Sequence, residues 1–214
     1  MSRKAWFVAS VAAATAAIAG ARVAEAQSAV VWNIGGAAAL GSGCNSTGPN
    51  PNTVFVAFGN DVAVLFSTFG VDLPAGGTDA RLADLKSCQI RIPATLREGF
   101  YFSQLKQTLT YGVVKSANST GKISANSTFF NQPVAGFTVN LPSGAANNPA
   151  ITQSKTTPFL VTSACGGTPL SGLFRSDLAV SATRANAGQS VIVATQGFDL
   201  RYEITIPILL CPPP

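Results

Sequence analysis

The chain has 214 residues, fourteen basic against nine acidic side chains, four cysteines and no histidine. Without histidine, a Ser-His-Asp or Cys-His catalytic arrangement is excluded within this chain. The basic residues are scattered singly, which speaks against the clustered stripe that nucleic-acid binding wants.

Met1–Ala26 reads as a secretory signal peptide. Arg3 and Lys4 form a short basic start, Ala5–Ala21 is an apolar run rich in alanine, and Ala24-Glu25-Ala26 fits the small-x-small cleavage rule. Cleavage is expected between Ala26 and Gln27. Removing 26 residues leaves 188, residues 27–214, suited to one secreted domain, with eleven basic and eight acidic side chains. No later apolar stretch approaches the ~20 residues needed to span a bilayer. The predicted location is extracellular, or periplasmic if the source is Gram-negative.

Val30–Ile34 is the first predicted strand and carries Trp32. Gly35–Asn52 reads as a loop with Cys44 in its middle. Val54–Phe58 and Val62–Phe69 flank Gly59-Asn60, the pattern of a tight β-hairpin. Val71–Lys86 reads as a second loop, with at most a helical turn over Asp79–Leu85. Cys88–Ile92 is a strand with Ile90 and Ile92 on one side, Gln89 and Arg91 on the other. Phe100–Tyr111 follows the turn at Glu98-Gly99, and Leu105, Leu109 and Tyr111 share a face.

Further strands are expected at Lys122–Phe130 and Phe137–Leu141. Ser143–Thr157 is small and polar, and reads as a long mobile loop. Phe159–Thr162, Phe174–Thr183 and Val191–Thr195 lead to a long last strand, Phe198–Ile208. There Phe198, Leu200, Tyr202, Ile204, Ile206 and Ile208 alternate with polar residues and Pro207, over about 36 Å if unbroken. Nowhere do apolar residues keep helical spacing for three turns. About ten short strands argue an all-β fold, a two-sheet antiparallel β-sandwich.

Cys44, Cys88, Cys165 and Cys211 all lie in the exported part, so two disulfides are expected, with three pairings open. Cys44–Cys88 and Cys165–Cys211 are favoured because each pair then staples one half of the chain. With no histidine and no Cys-x-x-Cys, a zinc site is disfavoured.

Lys86-Ser87-Cys88-Gln89-Ile90-Arg91-Ile92, together with Gly43-Cys44, the Val54–Phe69 hairpin, Glu98-Gly99-Phe100 and Ser163-Ala164-Cys165-Gly166, resembles the secreted four-cysteine family catalogued as domain of unknown function 4360. The resemblance runs over Ser42–Pro214. Ser87 stands where that family commonly has asparagine, and Thr95-Leu96-Arg97 lengthens the following turn. The family implies no established activity, so no catalytic residue is carried across.

Catalysis without histidine would fall to carboxylates. Asp199 and Glu203 flank Arg201 on one strand face and are the best glycosidase-like pair, but the favoured reading is a solvated strand face whose Arg201 sits between two acids. Asp72, Asp79 and Asp84 are too loosely spaced for a calcium loop. Trp32, Phe100–Phe102 and Phe129-Phe130 could bind sugar, yet each sits in a strand where core packing is the default. Asn45, Asn118 and Asn126 open glycosylation sequons and read as polar loop residues. The expected function is a secreted non-catalytic binding or structural module without cofactor, with a cell-surface or glycan partner. The alternative is a carboxylate-dependent extracellular glycan hydrolase.

Overall fold

The computed structural model describes residues 28–76, 80–193 and 200–212. Fourteen strands lie among them. The first five are β1 (Val30–Trp32), β2 (Ala38–Leu40), β3 (Thr53–Phe58), β4 (Asp61–Phe66) and β5 (Val71–Leu73). The long ones follow: β6 (Ala83–Leu96), β7 (Phe100–Lys115), β8 (Ser119–Phe129), β9 (Gln132–Leu141), β10 (Ala146–Ser163) and β11 (Leu170–Arg184). The chain closes with β12 (Val191–Val193), β13 (Leu200–Thr205) and β14 (Leu209–Leu210).

All strand pairings are antiparallel, and they form two sheets. The six-stranded sheet runs β1-β6-β11-β8-β9, with β2 also on β6. The eight-stranded sheet is organised on β7. Strand β10 follows one side of it from Lys115 to Tyr101, while β12, β13 and β14 share the other side end to end. Strands β4 and β3 continue from β13, and β5 from β12.

Period-two alternation sends one side of each strand into a common core. Cys88, Ile90, Ile92, Phe174, Leu178 and Ile123 face Val64, Phe66, Leu105, Leu109, Tyr202 and Ile204 across it. The hairpin forms as its turn dictates: Phe58 pairs with Asp61, and Gly59 takes the positive φ of 61° that a two-residue turn requires. Gly43, next to Cys44, is fixed by close approach, since a Cβ there would meet the Phe69 ring at 2.3 Å.

Both favoured disulfides are formed, Cys44–Cys88 with Cα atoms 5.4 Å apart and Cys165–Cys211 at 5.6 Å. Five local expectations are corrected. Ser143–Thr157 is not a loop: most of it lies in β10, whose backbone is satisfied by β7. The last strand does not run unbroken through Ile208. It ends at Thr205 because Pro207 has no N–H to give the ladder, and pairing resumes only at Leu209. The loop Gly35–Asn52 contains β2, and Ala83–Leu85 is extended in β6 rather than a helical turn. Asn126 belongs to β8 rather than to a loop. The signal segment, Phe198, Asp199 and Asp79 fall outside the described residues.

The core also holds a closed polar network. Tyr202 OH donates to Gln107 Oε1, Ser127 Oγ lies 3.1 Å from Tyr202 OH, and Ser127 Oγ donates to Ser176 Oγ at 2.9 Å. Gln107 Nε2 in turn donates to the Ala135 carbonyl at 3.4 Å. All four side chains are buried, and they join β7 and β13 to β8 and β11 across the sandwich. Burial pushes the Tyr202 hydroxyl from 10.0 up to about 12, with the serine hydrogen bonds pulling back. Between those values the unfolded chain loses the phenolic proton first, so stability falls as pH rises through the window. About 2 kcal/mol is expected to go by its upper end. Urea midpoints taken from pH 9 to 12 check this. Tyr202→Phe should cost stability at pH 8 through its lost hydrogen bonds, yet flatten the alkaline decline.

Candidate functional site

The outer face of the six-stranded sheet is polar, and the register arranges it in rows. Arg175 of β11 stands directly opposite Arg91 of β6 on one side and Thr128 of β8 on the other. One row along, Asp177 stands between Gln89 and Asn126. These six side chains line a shallow depression of about 290 Å³.

Directly opposed residues on antiparallel strands have Cβ atoms about 4.5–5.5 Å apart, and like charges so placed destabilise the sheet. Here two guanidiniums take such positions. Arg91 donates to Gln89 Oε1 at 2.7 Å, and Gln89 Nε2 donates to Asp177 Oδ1 at 3.2 Å. Neither arginine makes an ion pair among the described residues, and Arg175 makes no side-chain hydrogen bond there either. The cluster therefore offers a fork of free N–H donors beside amide, hydroxyl and carboxylate groups, a set suited to a polar ligand bearing negative charge.

The carboxylates fall elsewhere. Glu203 is held by Arg201 on β13, and Asp199 lies outside the described residues. Glu203 instead has Asp61 as an electrostatic neighbour. Burial pushes the Asp61 carboxyl up, the Ile206 backbone N–H pulls it back, and the Glu203 charge adds to the rise. Asp84 is engaged by Arg81 at 3.3 Å and Lys86 at 4.0 Å, while Asp72 lies in β5. Among the described residues no cluster of three or more acidic or cysteine side chains is placed to hold a metal.

The aromatic side chains behave as core. Trp32, Phe102 and Phe129 are buried, and Trp32 stacks on Phe129 with centroids 5.7 Å apart. Trp32 Nε1 donates to the Asn60 carbonyl at 3.0 Å, so even its polar edge is committed to the fold. Gln89 and Arg91 were recognisable as the polar side of a strand. Their meeting with Arg175, Asp177 and Asn126 was not, because it depends on register.

No family model matches the chain, and no curated protein does. Among solved structures the chain is similar to TmCBM61 in complex with β-1,4-galactotriose, with 11% identity, 83% of this chain and 87% of that chain covered, and a TM-score of 0.25. It is also similar to a CBM4 protein, at 12% identity over 83% and 96% of the two chains, with a TM-score of 0.24. A third is the arabinose-bound MgGH51 α-L-arabinofuranosidase, at 13% identity over 78% of this chain and 26% of that one, with a TM-score of 0.25. Among the described residues no helix is long and apolar enough to cross a membrane.

Proposed function

We propose that the protein is an exported, non-catalytic module that holds a polar ligand, at the cell surface or in the extracellular space, on the outer face of its six-stranded sheet. The observation that carries this reading is the opposition of Arg91 and Arg175. The pair costs free energy in the free protein, and a ligand that neutralises it recovers that cost. Export is supported by the Met1–Ala26 pattern, with cleavage between Ala26 and Gln27, and by two disulfides of the kind that persist in oxidising compartments. The resemblance to the secreted four-cysteine family, carried by Gly43-Cys44, Lys86–Ile92 and Ser163–Gly166, agrees with this.

Screening the purified protein against polysaccharides, esters and peptides tests the reading, with binding and turnover measured side by side. Retention without turnover is the expected result. A second reading is favoured by one observation, the raised Asp61 carboxyl beside Glu203. Turnover abolished by Asp61→Asn or Glu203→Gln would replace the binding module with a carboxylate-dependent glycan hydrolase.

A further inference from the structure

Beyond the arginine pair, the same face continues as a trough. The next row is built of small residues, Ser87, Ala179 and Ser124, and the row after it brings Ser181 between the exposed Leu85 and Lys122, which in turn faces Asn140 on β9. A second depression of about 280 Å³ lies at that end, lined in part by Lys122, Asn140 and Thr183. From Arg175 to Ser181 the path is six residues along β11, about 20 Å at strand spacing. Positive charge thus stands at both ends of a hydroxyl-lined strip that small side chains keep low.

The rows carry no aromatic side chain. A ligand recognised by ring stacking, whether a neutral sugar or a nucleic-acid base, would find no platform here. For a peptide the apolar groups of this face stand at its margins, Leu40 opposite Gln89, Leu85 opposite Ser181, and Leu141 and Pro142 at the second depression, with none in the rows between the arginines and Lys122 to hold an anchoring side chain. What remains is an extended, hydroxyl-rich chain with acid groups spaced along it.

We propose that this trough binds an anionic polysaccharide lengthwise. Acid groups sit on Arg91 and Arg175 at one end and on Lys122 at the other, and sugar hydroxyls meet Gln89, Asn126 and Ser124 between them. The proposal rests on the binding-module reading and names its ligand class. Arg91 and Arg175 supply planar donor forks that match carboxylate or sulfate oxygens, whereas Lys122 acts as a point charge. Asp177 lies diagonal to Arg91 and keeps the free site from being wholly cationic.

The test uses the exported protein in affinity electrophoresis and calorimetry against polygalacturonate, dextran sulfate, a neutral β-galactan and poly-glutamate. Binding to polygalacturonate or dextran sulfate is expected, falling with added salt. The double variant Arg91→Gln/Arg175→Gln should weaken it at least tenfold, and Lys122→Gln two- to fivefold. Polygalacturonate alone identifies carboxylate sugars as the source of the acid groups; dextran sulfate alone identifies sulfate; both identify either. Because both arginines are exposed and oppose each other, the double variant should melt no lower than the parent, so lost binding is not lost folding. Failure of both polyanions to bind overturns the proposal, as does equal binding by the double variant or equally tight binding of poly-glutamate. Neutral galactan held equally by parent and double variant, with neither polyanion bound, would sink this proposal and leave the module reading standing. Degradation of a polymer would sink the module reading itself.

Discussion

Replacing Cys211 by serine is expected to lower stability by about 2–5 kcal/mol, a drop of roughly 5–20 °C in melting temperature for a domain of this size. The reason lies in how little else holds that end of the chain. After Pro207 interrupts the strand, β14 is two residues long, and Leu209 and Leu210 are both exposed. Among the described residues it is held by its pairing with Tyr101 and Phe100, by one backbone bond from the Cys211 N–H to the Gly99 carbonyl at 2.9 Å, and by the bridge. The Cys165–Cys211 bond closes a loop 46 residues apart in sequence, so the unfolded chain gains much freedom when it goes. Cys165 should then react with thiol reagents in the native protein. Peptide mapping without reductant checks the pairing, and thermal melts in the variant check the magnitude.

Arg184→Leu is expected to be at least as damaging, at about 3–5 kcal/mol. Arg184 is 4% exposed, at the end of β11. Its Nε donates to the Arg81 carbonyl at 2.8 Å, and Nη1 reaches the carbonyls of Pro74 at 2.5 Å and Gln189 at 3.0 Å. One guanidinium thus ties the segment after β5, the approach to β6 and the turn into β12. Leucine would fill similar space but leave several carbonyls without a donor, each costing about 1–3 kcal/mol where buried. Lysine should rescue less than half, because a single ammonium on a flexible stem cannot serve the same spread of acceptors from a rigid fork. Urea unfolding at neutral pH, with an unchanged slope and a lowered midpoint, is the expected readout.

Much of this architecture was legible in the residue order, where alternation was strong. Ile90 and Ile92 against Gln89 and Arg91, or Leu105, Leu109 and Tyr111 against their polar neighbours, state a half-buried strand without ambiguity. The equal halves closed by the cysteines led to the observed pairing. Strand β10 leaves no such pattern, because Asn, Thr, Gln, Ser and Lys on a strand bordering solvent need not alternate, and its order comes from bonding to β7 rather than from its own composition. In the last strand apolar spacing continues past Pro207, while ladder hydrogen bonding stops at Thr205. For the site, each arginine could be assigned to a polar strand face, but a sequence carries no register. Only pairing β11 between β6 and β8 sets Arg175 against Arg91.

The position of β10 has a further consequence for how the molecule behaves in company. Among the described strands it pairs with β7 alone, so an 18-residue strand leaves one side of its backbone without a strand partner. An open border of that length is a template on which other copies could zip into fibres. This one is interrupted. Its register shifts between Asn148 and Ile151 and again between Pro158 and Thr162, Pro158 offers no N–H, and Lys155 directs its ammonium to the Gly136 carbonyl at 2.8 Å, across the gap to β9. The uninterrupted stretch that remains is short and polar. The composition that hid β10 as a strand is the same one that keeps a crowded solution of this protein from knitting together.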